Sequence, residues 1–160
     1  MNIKVVNQGK DISRVIINDP KTYNSLSTKN LLDLIKVFKK LDNDKKVKVI
    51  ILEGAGKGFS AGHNLKEVRS LKKKDKYQKL FDLCSRVMLQ IVEGKKPVIA
   101  KVHGAAFAAG CQLVASCDLA YSTKDSLFAT PGVNIGLFCS TPMVAVSRKI
   151  NRKPMMKMLL

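Results

Sequence analysis

Short runs of β-branched residues alternate along the chain with longer stretches in which apolar residues recur at helical spacing. The first two runs, Ile3–Val6 and Arg14–Ile17, flank a polar turn at 7–11, and we predict that they form a hairpin. From Ser27, a favourable N-cap, leucines recur every three or four residues until a polar break at 42–44, which predicts a helix.

The alternation continues beyond that break. Strands are expected at Val47–Leu52, Pro97–Val102, Leu119–Ser122 and Ser126–Ala129, and helices near Asn64, after Lys76, near Gly110–Ser116, at Thr141–Lys149 and from Asn151 onward. We expect the lysine-rich stretch 72–76 to be an exposed, mobile connection. Strands alternating with helices indicate an α/β fold with crossover connections. The pattern predicts one domain over 1–160 that ends in mid-element.

Composition narrows the class of protein. With 160 residues, 46% apolar and 26% charged, the chain can bury a core, which excludes disorder as a description of the whole. The 29 lysines and arginines outnumber the 12 acidic residues, giving a net charge of +17. Most of these cations are dispersed lysines, which are typical of a solvated surface. The net charge alone therefore neither requires nor excludes a polyanionic partner.

Several location signals are missing from the sequence. No stretch is apolar enough for a membrane span, and the first residues resemble neither a secretory signal nor a transit peptide. The four cysteines form no C-x-x-C pair and lie in apolar stretches, so we expect buried, reduced thiols and no metal site. These observations predict a cytoplasmic protein.

Two glycine loops repeat one pattern. Residues 59–65 and 107–113 both read Phe, small, Ala, Gly, any residue, side-chain amide, Leu, and each loop follows a buried strand and opens a helix. Tight strand-to-helix packing would explain either loop alone. The pair favours a site, because two helix N-termini facing one another could offer two main-chain donors to a single oxygen and stabilise an oxyanion or enolate.

These loops are part of a wider resemblance. Together with 19–26, 47–52, 96–104 and 110–120, they make the chain similar to the crotonase, or enoyl-CoA hydratase/isomerase, superfamily. The resemblance implies a crotonase-like ββα-spiral core, with the family's C-terminal helical region absent from the 160 residues. It also implies that acyl-CoA thioesters are the partners, with no cofactor other than the coenzyme A of the substrate.

The resemblance assigns roles to individual positions. The two donors to the thioester oxygen, its catalytic groups, fall on the main-chain N–H groups of His63 and Ala109. The residues implied to line the coenzyme A path are Tyr23, Ala61, Asn64, Leu65 and Lys66, where a lysine would suit the phosphates.

Two positions depart from the family pattern. Hydratases of the family use a pair of glutamates to handle water and a substrate proton, but Gln112 and Gly132 occupy the matching positions here. Ordinary hydration is therefore not expected. The Ser60–His63 loop is also similar to that of the superfamily's methylmalonyl-CoA decarboxylases, so the imidazole of His63 is a second candidate for chemistry. Structural roles are expected for His103, Asp118 and Cys139.

Three functions stay open at this point. The first is an acyl-CoA-handling enoyl-CoA hydratase/isomerase homologue, a lyase or isomerase of fatty-acid metabolism whose reaction is undetermined. The second is a non-catalytic acyl-CoA binder, and the third, ranked last, is a basic nucleic-acid-binding protein. The resemblance implies trimers or hexamers, and the apolar strip Pro154–Leu160 also predicts self-association.

Overall fold

The computed structural model describes residues 2–160. Its strands are β1 (Ile3–Gln8), β2 (Ile12–Ile17), β3 (Val49–Gly54), β4 (Val98–Val102), β5 (Ala105–Phe107), β6 (Leu119–Ser122) and β7 (Leu127–Ala129). The α-helices are α1 (Thr28–Asn43), α2 (Leu65–Ser70), α3 (Lys74–Val92), α4 (Ala109–Ser116), α5 (Ser140–Val146) and α6 (Arg152–Leu159). Two 3₁₀ helices cover Pro20–Thr22 and Pro131–Ile135.

The strands form two sheets. The larger has the order β1-β2-β3-β4-β6, in which β1 and β2 are antiparallel and every other neighbouring pair is parallel; β5 and β7 pair in parallel in the smaller sheet. The predicted hairpin and the α/β class are confirmed. Because β3 and β4 are parallel neighbours, the segments that leave them begin at the same edge of the sheet. The first leads to the glycine loop 59–65, and the second forms β5 before the glycine loop 107–113.

Helices α1 and α3 pack against each other and shield the larger sheet. Helix α1 begins as predicted, since the Ser27 hydroxyl accepts the Asn30 N–H at 3.3 Å. Its buried face carries Leu31, Leu34 and Phe38, which join a core that also contains the inner residues of β3 and β4. Glu53, buried in β3, is neutralised by Arg14 and by Lys101, whose Nζ lies 3.2 Å from its carboxylate.

Three local expectations need correction. The stretch 72–76 is exposed, but Lys74 already begins α3, so it is not wholly a connection. Strand β5 was not predicted, because three residues carry no usable periodicity. The strip 154–160 is not fully exposed either: Met155 and Leu159 are buried in a second apolar cluster with Cys111, Cys139 and Val146.

The four cysteines are free and buried, as predicted. Burial raises the pKa of Cys84 and of Cys117 to about 12, and that of Cys111 to about 11. Among residues 2–160, no helix has the length and apolar character needed to cross a bilayer.

Candidate functional site

The two glycine loops lie directly against one another. Ser60 forms a parallel bridge with Ala106, and its carbonyl accepts the Phe107 N–H at 2.9 Å. A β-carbon on Gly62 would lie 2.9 Å from the Phe107 oxygen and 3.1 Å from the Ala109 nitrogen, and one on Gly110 would overlap the Ser60 carbonyl. This packing alone requires glycine at both positions, and it brings the start of α4 beside the loop before α2.

Two main-chain donors at this junction have no protein partner. Within the described part of the chain, neither the His63 N–H nor the Ala109 N–H donates a hydrogen bond to a backbone or side-chain acceptor. Ala109 is the first residue of α4, where helix geometry leaves N–H groups unpaired. Unpaired donors on touching loops are available to an oxygen atom of a ligand.

The residue before Ala109 has a strained backbone. Ala108 has φ +49° and ψ −118°, a conformation with positive φ outside the left-handed helical region, which costs an alanine about 1–3 kcal/mol. It is held there because its N–H donates to the Ala129 carbonyl at 2.9 Å, on β7. The smaller sheet therefore determines how the chain enters α4 and where the Ala109 N–H lies.

The side chain of His63 anchors its own loop. Its Nδ1 lies 3.2 Å from the Leu26 carbonyl, while the Leu26 N–H donates to the Gly62 carbonyl at 2.8 Å. The ring also packs edge-on against Phe81, with 5.2 Å between centroids. Burial lowers the pKa of His63, although the Leu26 hydrogen bond and the charge of Glu67 oppose that effect. A neutral imidazole donating from Nδ1 satisfies this geometry.

Asn24 is a buried residue whose hydrogen bonds join three segments of the chain, and the sequence alone did not identify it. Its amide nitrogen donates to the carbonyls of Ala55 at 2.7 Å and Gly58 at 2.8 Å, and its oxygen accepts the Asp19 N–H at 2.9 Å. Its own carbonyl accepts the Ser60 hydroxyl at 2.8 Å. Asn24 thus ties the 19–24 loop to the first glycine loop, and its left-handed φ of +54° is a conformation that asparagine tolerates.

The residues implied to contact coenzyme A lie together at the edge of this junction. The Ala61 N–H donates to the Tyr23 carbonyl at 3.0 Å, and the side chain of Tyr23 is exposed. Ala61, Leu65 and Lys66 are exposed as well. The amide oxygen of Asn64 caps α2 by accepting the N–H groups of Lys66 at 3.1 Å and Glu67 at 3.2 Å. Its oxygen is therefore already occupied.

The two positions that depart from the family pattern have different surroundings. Gln112 lies in the first turns of α4, is 6% exposed, and lines a cavity of about 420 Å³ between α3, α4 and α5. Gly132 lies in the second 3₁₀ helix, where a β-carbon would overlap the Leu137 carbonyl and lie 2.7 Å from the Cys139 sulfur. Position 132 therefore has no room for a side chain.

The remaining candidates have structural partners. Nε2 of His103 lies 2.8 Å from the Gly56 carbonyl, and the Asp118 carboxylate accepts the Val98 N–H at 2.8 Å. Cys139 is buried in the second apolar cluster. Residues 2–160 bring together no group of three or more histidine, cysteine or acidic side chains that could hold a metal ion.

Comparison with known proteins identifies the fold. The family model described as enoyl-CoA hydratase/isomerase matches residues 7–160. The crystal structure of an enoyl-CoA hydratase from Mycobacterium smegmatis superposes with a TM-score of 0.96 at 45% identity, covering 99% of this chain and 62% of that one. Human enoyl-CoA hydratase domain-containing protein 3 gives a TM-score of 0.94 at 43% identity, with the same coverage. The crotonase-like fold predicted from the sequence is confirmed.

Curated relatives agree with the structures. Proteins named enoyl-CoA hydratase domain-containing protein 3, mitochondrial, are 45% identical over 157 residues in Xenopus laevis and 46% identical over 148 residues in Homo sapiens. These alignments cover 98% and 92% of this chain but 53% and 49% of the relatives, so the chain spans about half their length. The chain is therefore similar over nearly all of its length to the first half or so of enoyl-CoA hydratase domain-containing protein 3, in keeping with the family resemblance seen in the sequence.

One expectation is overturned by these relatives. The cytoplasmic location predicted from the absence of sorting signals is wrong, because the curated relatives from frog, zebrafish and human are named mitochondrial. The match of the family model over residues 7–160 and the superposition on solved enoyl-CoA hydratases together show that the chain belongs to the enoyl-CoA hydratase/isomerase family.

Proposed function

We propose that this chain binds acyl-CoA thioesters and holds the thioester carbonyl oxygen between the main-chain N–H groups of His63 and Ala109. The observation that carries the proposal is that both donors lie on touching loops and have no acceptor in the described chain. Two preorganised N–H groups stabilise negative charge that develops on an oxygen, as in an oxyanion or enolate. The strained Ala108 and the His63–Leu26 anchor keep the donors in place without the ligand.

The exposed residues beside the donors supply the coenzyme A contacts in this proposal. Tyr23, Ala61 and Leu65 offer an open surface for the ligand, and Lys66 offers a cation to its phosphates. Asn64 contributes through its cap of α2, which fixes the chain after His63. The net charge of +17 favours the approach of an anionic ligand at low salt.

The proposed chemistry excludes the two-carboxylate route to hydration. The amide of Gln112 cannot donate and recover a proton at neutral pH, and Gly132 has neither a side chain nor space for one. Reactions that need only enolate stabilisation fit the donors that are present. A second candidate function is acyl-CoA binding without turnover. The absence of carboxylates at Gln112 and Gly132 favours it.

Self-association is part of the proposal. Leu119, Tyr121, Leu127, Ile135 and Leu137 are all more than half exposed, and they lie on β6, on β7 and in or just after the second 3₁₀ helix. In the trimer or hexamer that we expect, contacts between subunits would bury these apolar side chains. Light scattering at micromolar concentration tests this point, and a stable monomer contradicts it.

Titration calorimetry tests the binding function with butyryl-CoA, coenzyme A and butyrate. We expect butyryl-CoA to bind more tightly than coenzyme A, because only the thioester presents the carbonyl, and butyrate to bind far more weakly than either. A parallel assay of crotonyl-CoA hydration should give a rate at least about 100-fold below that of a hydratase with both carboxylates. Equal affinity for butyryl-CoA and butyrate refutes the proposal.

A further inference from the structure

The end of α2 and the start of α3 form a dense cationic surface. Residues 69–79 contain six cations and one acidic residue, Asp75, and all seven are exposed. We call the six cations the α2–α3 basic surface: Arg69, Lys72, Lys73, Lys74, Lys76 and Lys79. Both ion pairs within residues 2–160 use Glu53, so none of the six has an acidic partner there. The neighbouring Glu67 carboxylate instead accepts the Thr28 N–H at 3.1 Å.

This surface carries lysines at positions where other residues would be more stable. Lys72 has φ +48°, a left-handed conformation that favours glycine or asparagine. Lys73 is the N-cap of α3 but makes no capping hydrogen bond, which a serine or an aspartate would supply. Cations beside the positive end of a helix are unfavourable as well. Such departures from local preference are expected where residues serve a function other than stability.

The basic surface lies beside the exposed residues that are proposed to contact coenzyme A. Leu65 begins α2 and is 56% exposed, and Arg69 follows it by four residues on the same face of that helix. Leu71, between α2 and α3, packs against the main core, which fixes the surface relative to the rest of the fold. A cluster of four to eight cations beside exposed apolar side chains is typical of proteins that lie on anionic bilayers.

Nucleic acid, the other common polyanion, matches this surface less well. Proteins hold single strands by stacking successive bases on exposed rings. The aromatic residue within 69–79, Tyr77, is partly buried, and the exposed Tyr23 nearby offers one ring. Five of the six cations are also lysines, which lack the planar fork that suits arginine to nucleic acid. The composition of the surface therefore favours lipid phosphates.

We propose that the α2–α3 basic surface docks the protein on an anionic lipid bilayer, with the glycine-loop site opening at the membrane surface. The docking itself rests on the charge and exposure of residues 69–79. The benefit of this orientation rests on the proposed function. An acyl-CoA combines an anionic head with an alkyl chain that partitions into bilayers, so a docked protein meets its ligand where the ligand accumulates.

Vesicle co-sedimentation without any acyl-CoA tests the docking. The purified full chain is mixed with vesicles of phosphatidylcholine, or of equal parts phosphatidylcholine and phosphatidylglycerol. We expect binding to the anionic vesicles alone, weakening as salt is added. The triple variant Lys72→Gln, Lys73→Gln, Lys74→Gln should bind about 100-fold more weakly, or about fivefold for each lysine lost near the bilayer. Its denaturant midpoint should be unchanged or higher, because repulsion between like charges is removed.

The triple variant Lys45→Gln, Lys46→Gln, Lys48→Gln is the matched control. These lysines are exposed too, but they precede β3, whereas the candidate site lies beyond the end of that strand. Both variants lose three charges, and the control should retain vesicle binding within about threefold of the wild type. Equal losses in the two variants would show attraction by net charge alone and would overturn the basic surface.

Two further measurements separate this inference from the proposed function. If the wild type ignores anionic vesicles while calorimetry still shows butyryl-CoA binding, the docking is overturned and the proposed function stands. If vesicles bind but no thioester does, the docking surface stands and the proposed function is overturned. Binding of polyuridylate that depends on Lys72, Lys73 and Lys74, without vesicle binding, assigns the surface to nucleic acid and overturns the inference.

Discussion

The α-carbon of Gly62 faces the main-chain nitrogen of Ala109 so closely that a β-carbon on Gly62 would lie 3.1 Å from that nitrogen. The two residues are 47 positions apart, one before α2 and the other at the start of α4. Their contact brings the two glycine loops together, and the candidate site depends on it.

Gly62→Ala should therefore disrupt both the fold and the site. Gly62 has φ +88°, which costs an alanine about 1–2 kcal/mol, and the new methyl group would also contact Phe107 and Ala109. We expect a total loss of about 3 kcal/mol or more in the free energy of unfolding, measured by urea denaturation, together with loss of acyl-CoA binding.

Gly136→Ala is the control for this substitution. Gly136 has a similar φ of +74°, but its β-carbon would meet nothing within 4 Å. Only the backbone cost of about 1–2 kcal/mol is expected, with binding retained. Equal losses in the two variants would contradict close loop packing at Gly62.

His63 should make stability depend on pH. Burial lowers the pKa of His63 in the folded state. Just below the ordinary histidine pKa of 6.5, His63 is therefore protonated in the unfolded chain but still neutral in the folded chain. This contribution to stability is full above about pH 6.5 and is lost as the pH falls from there through the folded-state pKa. Urea unfolding between about pH 7.5 and pH 5.5 should show a steeper loss for the wild type than for His63→Gln. Parallel curves would show that His63 is not buried as described.

Asn24→Ala should be among the most destabilising polar substitutions in the chain. It removes three hydrogen bonds and leaves the buried carbonyl of Gly58 and the partly buried carbonyl of Ala55 without donors. We expect a loss of about 3–4 kcal/mol. The control Asn43→Ala removes one exposed hydrogen bond to Lys39 and should change stability by about 0.5 kcal/mol or less. Comparable effects of the two in chemical denaturation would contradict the role of Asn24.

The cysteines should react slowly with thiol reagents in the native protein. Three of them have a pKa raised to about 11 or 12, so at pH 8 hardly any of their thiolate is present, and all four side chains are buried. A disulfide reagent that reports absorbance should label them over hours in buffer and within minutes in denaturant. Rapid labelling of the native chain would show that one of these thiols is accessible.

Local patterns were sufficient to predict much of the fold. The β1–β2 hairpin and α1 carry their signals in neighbouring residues, namely two β-branched runs around the polar turn at 7–11, leucines at helical spacing and the Ser27 cap. Strand β5 has no such signal, since its three residues become a strand only by pairing with β7 and Ser60. The burial of Met155 depends likewise on α6 packing beside α5.

In the candidate site, too, some features could be predicted from local sequence and others depend on distant residues. The repeated pattern of residues 59–65 and 107–113 predicted that the two loops share a role, and the structure places them in contact. The hydrogen bonds of Asn24 could not be predicted from the sequence, because its partners Ala55 and Gly58 lie more than 30 residues away along the chain. The strain at Ala108 is also set by a distant residue, Ala129.

Infrared difference spectroscopy of a bound thioester tests the central claim most directly. With butyryl-CoA labelled with carbon-13 at the thioester carbonyl, hydrogen bonds from His63 and Ala109 should polarise the bond and shift its stretching band to lower frequency than in water. Ala109→Pro removes one donor at the first position of α4 and should reverse much of the shift. Because Gly62 packs against the Ala109 nitrogen and Ala108 is strained, circular dichroism must first show that the variant is folded. His63→Gln keeps its main-chain N–H and should retain the shift if its loop stays folded. A bound carbonyl band at the frequency found in water, or a full shift in folded Ala109→Pro, would contradict the account.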